Sequence, residues 1–246
     1  MRRNWSEAEV TEALALYLRL PFGRLHSRTP AIIALAERLG RTPSAVALKL
    51  TNLAALDDSL ARRGMANASA TDRRVWAAYR QDPGKVLDAV IRQGDLPALP
   101  PGFAERQAAF AGRQGESTEA VTRIRIGQGF FRDMILTSYA GRCALTGIED
   151  PRLLTASHIV GWAEDPAERL NPRNGIALNA LHDRAFDRHL ITFDEDLRLV
   201  IAADVPLAAR RQLERIDSPR LALPQRFLPD PALLERHRRR FHARAA

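Results

Sequence analysis

Cysteine is almost missing from this 246-residue sequence, and Cys143 is the only one. An intramolecular disulfide and a cysteine-rich zinc knuckle are therefore excluded, and no structural zinc is expected. Cys143 itself reads as a small buried packing residue rather than a ligand or nucleophile. Long apolar runs are also missing. No stretch approaches a membrane span and the N-terminus lacks a signal-peptide core, so a soluble, cytoplasmic protein without a membrane partner is expected. Lysine is greatly outnumbered by arginine, and acidic residues fall short of basic ones, leaving a net charge of +8 and a pI near 10.7. That balance favours an anionic partner, nucleic acid first, because phosphate contacts supply most non-specific affinity. Hydrophobic residues make up 46% of the chain, which is enough for one large or two small globular domains.

The first part of the chain reads as helical. Ser6 is placed to cap a helix whose first turn holds Glu7 and Glu9 and whose buried side holds Val10, Leu14, Tyr17 and Leu18. A second helix runs from about Pro30 to Leu39 and stops at Gly40; Thr42 then caps a third, with Pro43 at its first position. This third helix should turn Val46, Leu50 and Leu53 inward and Ser44, Lys49 and Asn52 outward. Two more helices, near 69–79 and 83–93, would brace the first three or connect them to the second domain. The Pro- and Gly-rich stretch that follows reads as a linker. The expected division is a helical domain over 1–95 (tri-helical unit 4–57), a linker over 96–118, and a second domain over 119–246.

In the second domain, Phe130 to Tyr139 reads as a helix leading to Gly141. Strands are expected at Cys143–Ile148 and Leu153–Ile159, and a hairpin from 190–193 to 197–201. His158 ends the run Leu153-Leu154-Thr155-Ala156-Ser157. Asn174 lies in Asn171-Pro172-Arg173-Asn174-Gly175, a loop by composition. His182 falls in Ile176–Asp187, which reads as a helix with Leu178, Leu181, Ala185, Phe186 and His182 on one inward stripe. The arginine-rich stretch 235–244 is either a phosphate clamp or a solvated helix end. His26, His189, His237 and His242 read as surface or incidental residues.

Taken together, Cys143-Ala-Leu-Thr-Gly147, Ser157-His158-Ile159, Asn174-Gly175-Ile176-Ala-Leu178 and Leu181-His182-Asp183-Arg-Ala-Phe-Asp-Arg188 resemble the HNH endonucleases, the ββα-metal nuclease finger, in their bacterial restriction-type subclass. The resemblance spans roughly residues 120 to 205. It implies an α+β fold, with a helical domain followed by the nuclease finger. It also implies that His158 is the general base, Asn174 orients it, and His182 ligates one divalent metal ion: Mg²⁺ first, with Mn²⁺, Ni²⁺ or Zn²⁺ open. Ser157 stands where many HNH sites carry a metal-ligating Asp, so Asp187, or in second place Asp183, is the candidate second ligand. The unit 4–57, with Trp5-Ser6-Glu7 and the string Leu35–Val46, resembles a Myb-like helix-turn-helix domain. That resemblance implies DNA contacts by Arg41, Ser44 and Lys49; in the finger, Arg173 is the candidate contact. The expected function is a metal-dependent endonuclease acting on foreign or modified double-stranded DNA, with a homodimer left open. Two alternatives remain: a DNA-binding regulator with a degenerate finger, and a nuclease toxin.

Overall fold

The computed structural model describes residues 3–60, 67–93 and 118–244. The expected linker at 96–118 lies outside the described residues apart from Thr118. The chain divides into two compact units, Met1–Met134 and Ile135–Ala246. No helix among the described residues is long and apolar enough to cross a membrane.

In the first unit, α1 (Glu7–Arg19) is the central helix. Ser6 Oγ accepts from Glu9 N–H and the Glu9 carboxylate accepts from Ser6 N–H, a reciprocal capping box that satisfies two otherwise orphaned donors. Val10, Leu14, Tyr17 and Leu18 are all buried, as their spacing predicts. α2 (Pro30–Leu39) ends at Gly40, whose φ of 60° is left-handed, and Arg41 N–H closes the end on the Ala36 carbonyl at 2.8 Å. α3 (Pro43–Ala54) is capped by Thr42 and packs with α1 and α2. α4 (Ala70–Gln81) begins at a second capping box, Ser69 with Asp72. A 3₁₀ turn, Pro83–Val86, leads into α5 (Leu87–Gln93).

The outward face of α3 differs from expectation. Lys49 and Asn52 are buried, while Leu48 is exposed. Lys49 turns inward because Asp72 of α4, fully buried, accepts from its ammonium at 2.6 Å and the Trp5 ring lies 5.0 Å away. An ion pair of this kind holds only while both partners remain, since either charge alone would be stranded in low dielectric.

α6 (Thr118–Ser138) runs across the division between the units and ends at Ala140 and Gly141, both with positive φ. In the second unit, Cys143–Ile148 is a tight turn rather than the expected strand. Gly147 adopts a φ of 64°, Gly147 N–H bonds the Cys143 carbonyl, and Cys143 N–H bonds that of Ile148. The strand paired with β1 (Leu154–His158) is instead β2 (Gly175–Asn179), antiparallel, with Leu154 opposite Asn179 and His158 opposite Gly175. All five β2 residues are buried. The helix α7 therefore starts only at Ala180 and runs to Asp187. Leu178 belongs to the strand and Leu181 is exposed, so the inward stripe of the helix is His182, Ala185 and Phe186. A hairpin follows, β3 (Ile191–Phe193) with β4 (Leu199–Ile201), then α8 (Leu207–Leu213).

The chain closes with α9 (Pro231–Arg244), which buries Leu233, Leu234, His237 and Phe241. His237 is no incidental residue. Its ring stacks on Phe186 with centroids 3.7 Å apart, Nδ1 meets Thr192 Oγ1 at 3.0 Å, and Nε2 lies 3.0 Å from the Phe186 carbonyl and 3.1 Å from His189 Nδ1. Burial holds its imidazole down at about 4, so the ring is neutral.

Candidate active site

Strand, loop and helix build the site. His158 is the last residue of β1, and the loop from Ile159 to Asn174 returns to β2 directly opposite it. Asn174, completely buried, closes this loop with both ends of its amide. Its Oδ1 accepts from Val160 N–H at 2.8 Å, and its Nδ2 donates to the Val160 and Glu168 carbonyls, both at 3.0 Å. Ile159 N–H also bonds the Asn174 carbonyl at 2.9 Å. The side chain thus extends the β1–β2 pairing one residue beyond Ile159, which fixes the segment following His158.

His158 is half-buried. Its Nε2 lies 3.1 Å from the Arg169 carbonyl, and its ring meets Trp162 edge-on with centroids 5.6 Å apart. A carbonyl can only accept, so Nε2 carries the proton and the basic lone pair is on Nδ1. Burial pushes the imidazole down to about 4, against a smaller raising effect of the Arg169 carbonyl. At neutral pH the ring is therefore neutral. Arg169 is itself fixed, its Nε donating to the Trp162 carbonyl at 2.7 Å and its guanidinium lying 5.5 Å from the Trp162 ring centre.

His182 is buried at the third position of α7. Its Nδ1 lies 3.1 Å from Asn179 Oδ1 and its Nε2 3.0 Å from the Leu213 carbonyl. Burial lowers its pKa, and a neutral ring has one N–H for these two oxygens. Asn179 also caps the helix, its Oδ1 accepting from Leu181 and His182 N–H. Asp187 lies exposed at the far end of α7. Partial desolvation raises its carboxyl against the lowering by Arg184, His189 and Arg188. Five positions separate it from His182, placing the two on different sides of the helix.

This donor set does not fit the expected metal ion as it stands. Both ring nitrogens of His182 face protein oxygens, Asp187 lies elsewhere on the helix, and Ser157, beside His158, offers no carboxylate. Among the described residues, no group of three or more His, Cys, Asp or Glu side chains is arranged to hold a metal ion. Ser157, 1% exposed, keeps its Oγ buried without a hydrogen-bond partner.

The structure thus puts His158 at the end of β1, Asn174 at the end of the loop that follows it, and His182 on helix α7. The candidate DNA contacts fare unequally. Ser44 is exposed at the start of α3. Arg41 pairs with Glu9 at 2.9 Å, donates to the Arg3 and Asn4 carbonyls and lies 4.0 Å from the Trp5 ring centre. Lys49 is tied to Asp72, so neither cation stands as an available phosphate contact. Arg173 is exposed but reaches the Leu228 carbonyl and Asp230 at 3.3 and 3.4 Å. Sequence reasoning missed Trp162, Arg169, Asn179 and the acidic pair Glu164 and Asp165. Asp165-Pro166 is legible as a cap signal; Trp162 and Arg169 carry no local signal.

Comparison with known proteins agrees on the same segment. No curated protein matches the chain. Residues 143–194, which hold His158, Asn174 and His182, match the family described as HNH endonuclease, and the match supports a nuclease domain in this part of the chain.

Proposed function

We propose that the protein is an endonuclease that hydrolyses phosphodiester bonds of double-stranded DNA, in a restriction or defence setting against foreign or modified DNA. The observation that carries this reading is the contact of His158 Nε2 with the Arg169 carbonyl, 3.1 Å, in a segment that matches an HNH endonuclease family. A carbonyl can only accept, so this contact puts the proton on Nε2 and the basic lone pair on Nδ1. Nδ1 takes a proton from water, the resulting hydroxide attacks phosphorus, and the phosphorus–O3′ bond breaks as a solvent proton reaches the leaving oxygen. Asn174 holds the base through the loop and contacts no reacting atom. HNH nucleases generally use a divalent metal; His182 and Asp187 as placed do not form a site for one.

DNA reading by the first unit is supported by the overall positive charge and by exposed Ser44, and not by Arg41 or Lys49. A regulator with a silent finger is the second reading, favoured by Ser157 and by the engagement of His182 with Leu213. The two are separated by incubating supercoiled plasmid with the protein. Metal-stimulated nicking lost in His158→Ala supports the nuclease, while DNA binding without nicking supports the regulator.

A further inference from the structure

We infer that Arg236, in the C-terminal helix, is a positioning residue for His158. This rests on the nuclease reading of that histidine and deepens it. The helix α9 is a fixed platform, since Leu233, Leu234, His237 and Phe241 are buried and His237 stacks on Phe186 of α7. From this platform Arg236 reaches the loop after His158. Nη1 lies 2.8 Å from Asp165 Oδ2 and Nη2 3.0 Å from Glu164 Oε1, so one guanidinium spans two consecutive carboxylates. Arg240, one turn on, pairs with the other Glu164 oxygen. The planar fork of arginine suits this double contact, which a lysine ammonium cannot reproduce.

The connection to the histidine is short. Asp165 uses its second oxygen, Oδ1, to accept from Ala167 N–H at 3.2 Å, capping the 3₁₀ turn Pro166–Glu168. That turn sets two carbonyls: Glu168 O meets Asn174 Nδ2, and Arg169 O meets His158 Nε2. Arg236 therefore holds the carboxylate that holds the turn that selects the tautomer of the base. The pairs are half-exposed, so their direct worth to stability is small; their effect falls on geometry. The arginine-rich tail is accordingly neither a bare phosphate clamp nor a freely solvated end at Arg236 and Arg240, because both meet carboxylates of the loop.

The test uses the full chain labelled with ¹⁵N-histidine, in which the ring nitrogen signals report tautomer directly; His158→Gln assigns the signal. In wild type, His158 should be neutral with the proton on Nε2 at pH 7. Arg236→Ala should give a mixture of tautomers and lower kcat for plasmid nicking roughly ten- to a hundredfold, as displacements of about 1 Å do, with KM within about twofold. Arg236→Lys should recover only part of both effects. The double variant Glu164→Gln/Asp165→Asn removes the same contacts from the exposed side and should reproduce Arg236→Ala even if that protein folds poorly. An unchanged His158 tautomer in Arg236→Ala or in the double variant, whether or not the melting temperature falls, overturns the inference. If wild type nicks no DNA, the nuclease reading fails, while the tautomer measurement still decides the role of Arg236.

Discussion

Replacing Asn174 with alanine should cost far more than one polar side chain usually does. The amide serves three backbone groups, and Val160 carries two of them, its N–H and its carbonyl, at 2.8 and 3.0 Å. Val160 is buried, so water cannot replace those bonds. Each orphaned group costs about 1–3 kcal/mol, and the two together about 2–6 kcal/mol. Glu168, half-exposed, can turn its carbonyl to water and adds little. Chemical denaturation monitored on the second unit, with amide exchange at Val160, reads both the global and the local loss. Asn174→Asp makes the reasoning sharper. It keeps an acceptor for Val160 N–H but directs a carboxylate oxygen at two carbonyls, so its cost should grow as pH rises and the group ionises. A loss below about 1 kcal/mol in Asn174→Ala, or an Asp variant as stable as wild type at pH 8, would refute this account of the loop.

Other outcomes follow from buried charge and burial-shifted histidines. Lys49→Met strands the Asp72 carboxylate and should destabilise the first unit by about 3–5 kcal/mol, whereas the slope of DNA affinity against salt should not change, because the ammonium is already paired; filter binding across a salt series checks this. His237 is held at about 4 when folded against 6.5 when unfolded. The unfolded chain alone takes up the proton in between, so its contribution is complete above about pH 6.5 and is lost as pH falls towards 4. The loss is about 3 kcal/mol, readable as the difference in denaturation midpoints between wild type and His237→Gln across those values, because His158 titrates in the same window. Gly147→Ala should destabilise the turn after Cys143 by about 1–2 kcal/mol, because φ is 64° and the added Cβ would lie 2.5 Å from Asp217 Oδ2.

Features set by neighbouring residues are legible in the sequence, and those set by distant partners are not. The caps at Ser6 and Thr42 and the stop at Gly40 depend on a few adjacent residues, and the structure has each of them. Lys49 looks solvent-facing on its own helix, and only Asp72, on another helix, turns it inward. β2 was hidden because all five of its positions are buried. A strand without alternation merges with the helical pattern that follows it, and here Leu178 was absorbed into the helix. The turn at Cys143–Ile148 reads as a strand in sequence because the left-handed φ of Gly147 leaves no trace in hydrophobic pattern. At the site, the order His158, Asn174, His182 could be read directly from the sequence. The partners of His182, Leu213 and Asn179, could not, and they alter what that histidine is able to ligate. His237 reads as incidental in sequence for the same reason, since Phe186, His189 and Thr192 reach it from about fifty residues away.

The central claim is that His158 is a general base for phosphodiester hydrolysis. It is tested most directly by single-turnover nicking of supercoiled plasmid by wild type and His158→Ala, each with Mg²⁺, Mn²⁺ or EDTA. The account predicts nicking by wild type and a rate lower by about 10²–10⁴ in the variant, with folding unchanged by circular dichroism. Equal rates in the two proteins, or nicking by neither while both bind DNA, would contradict it.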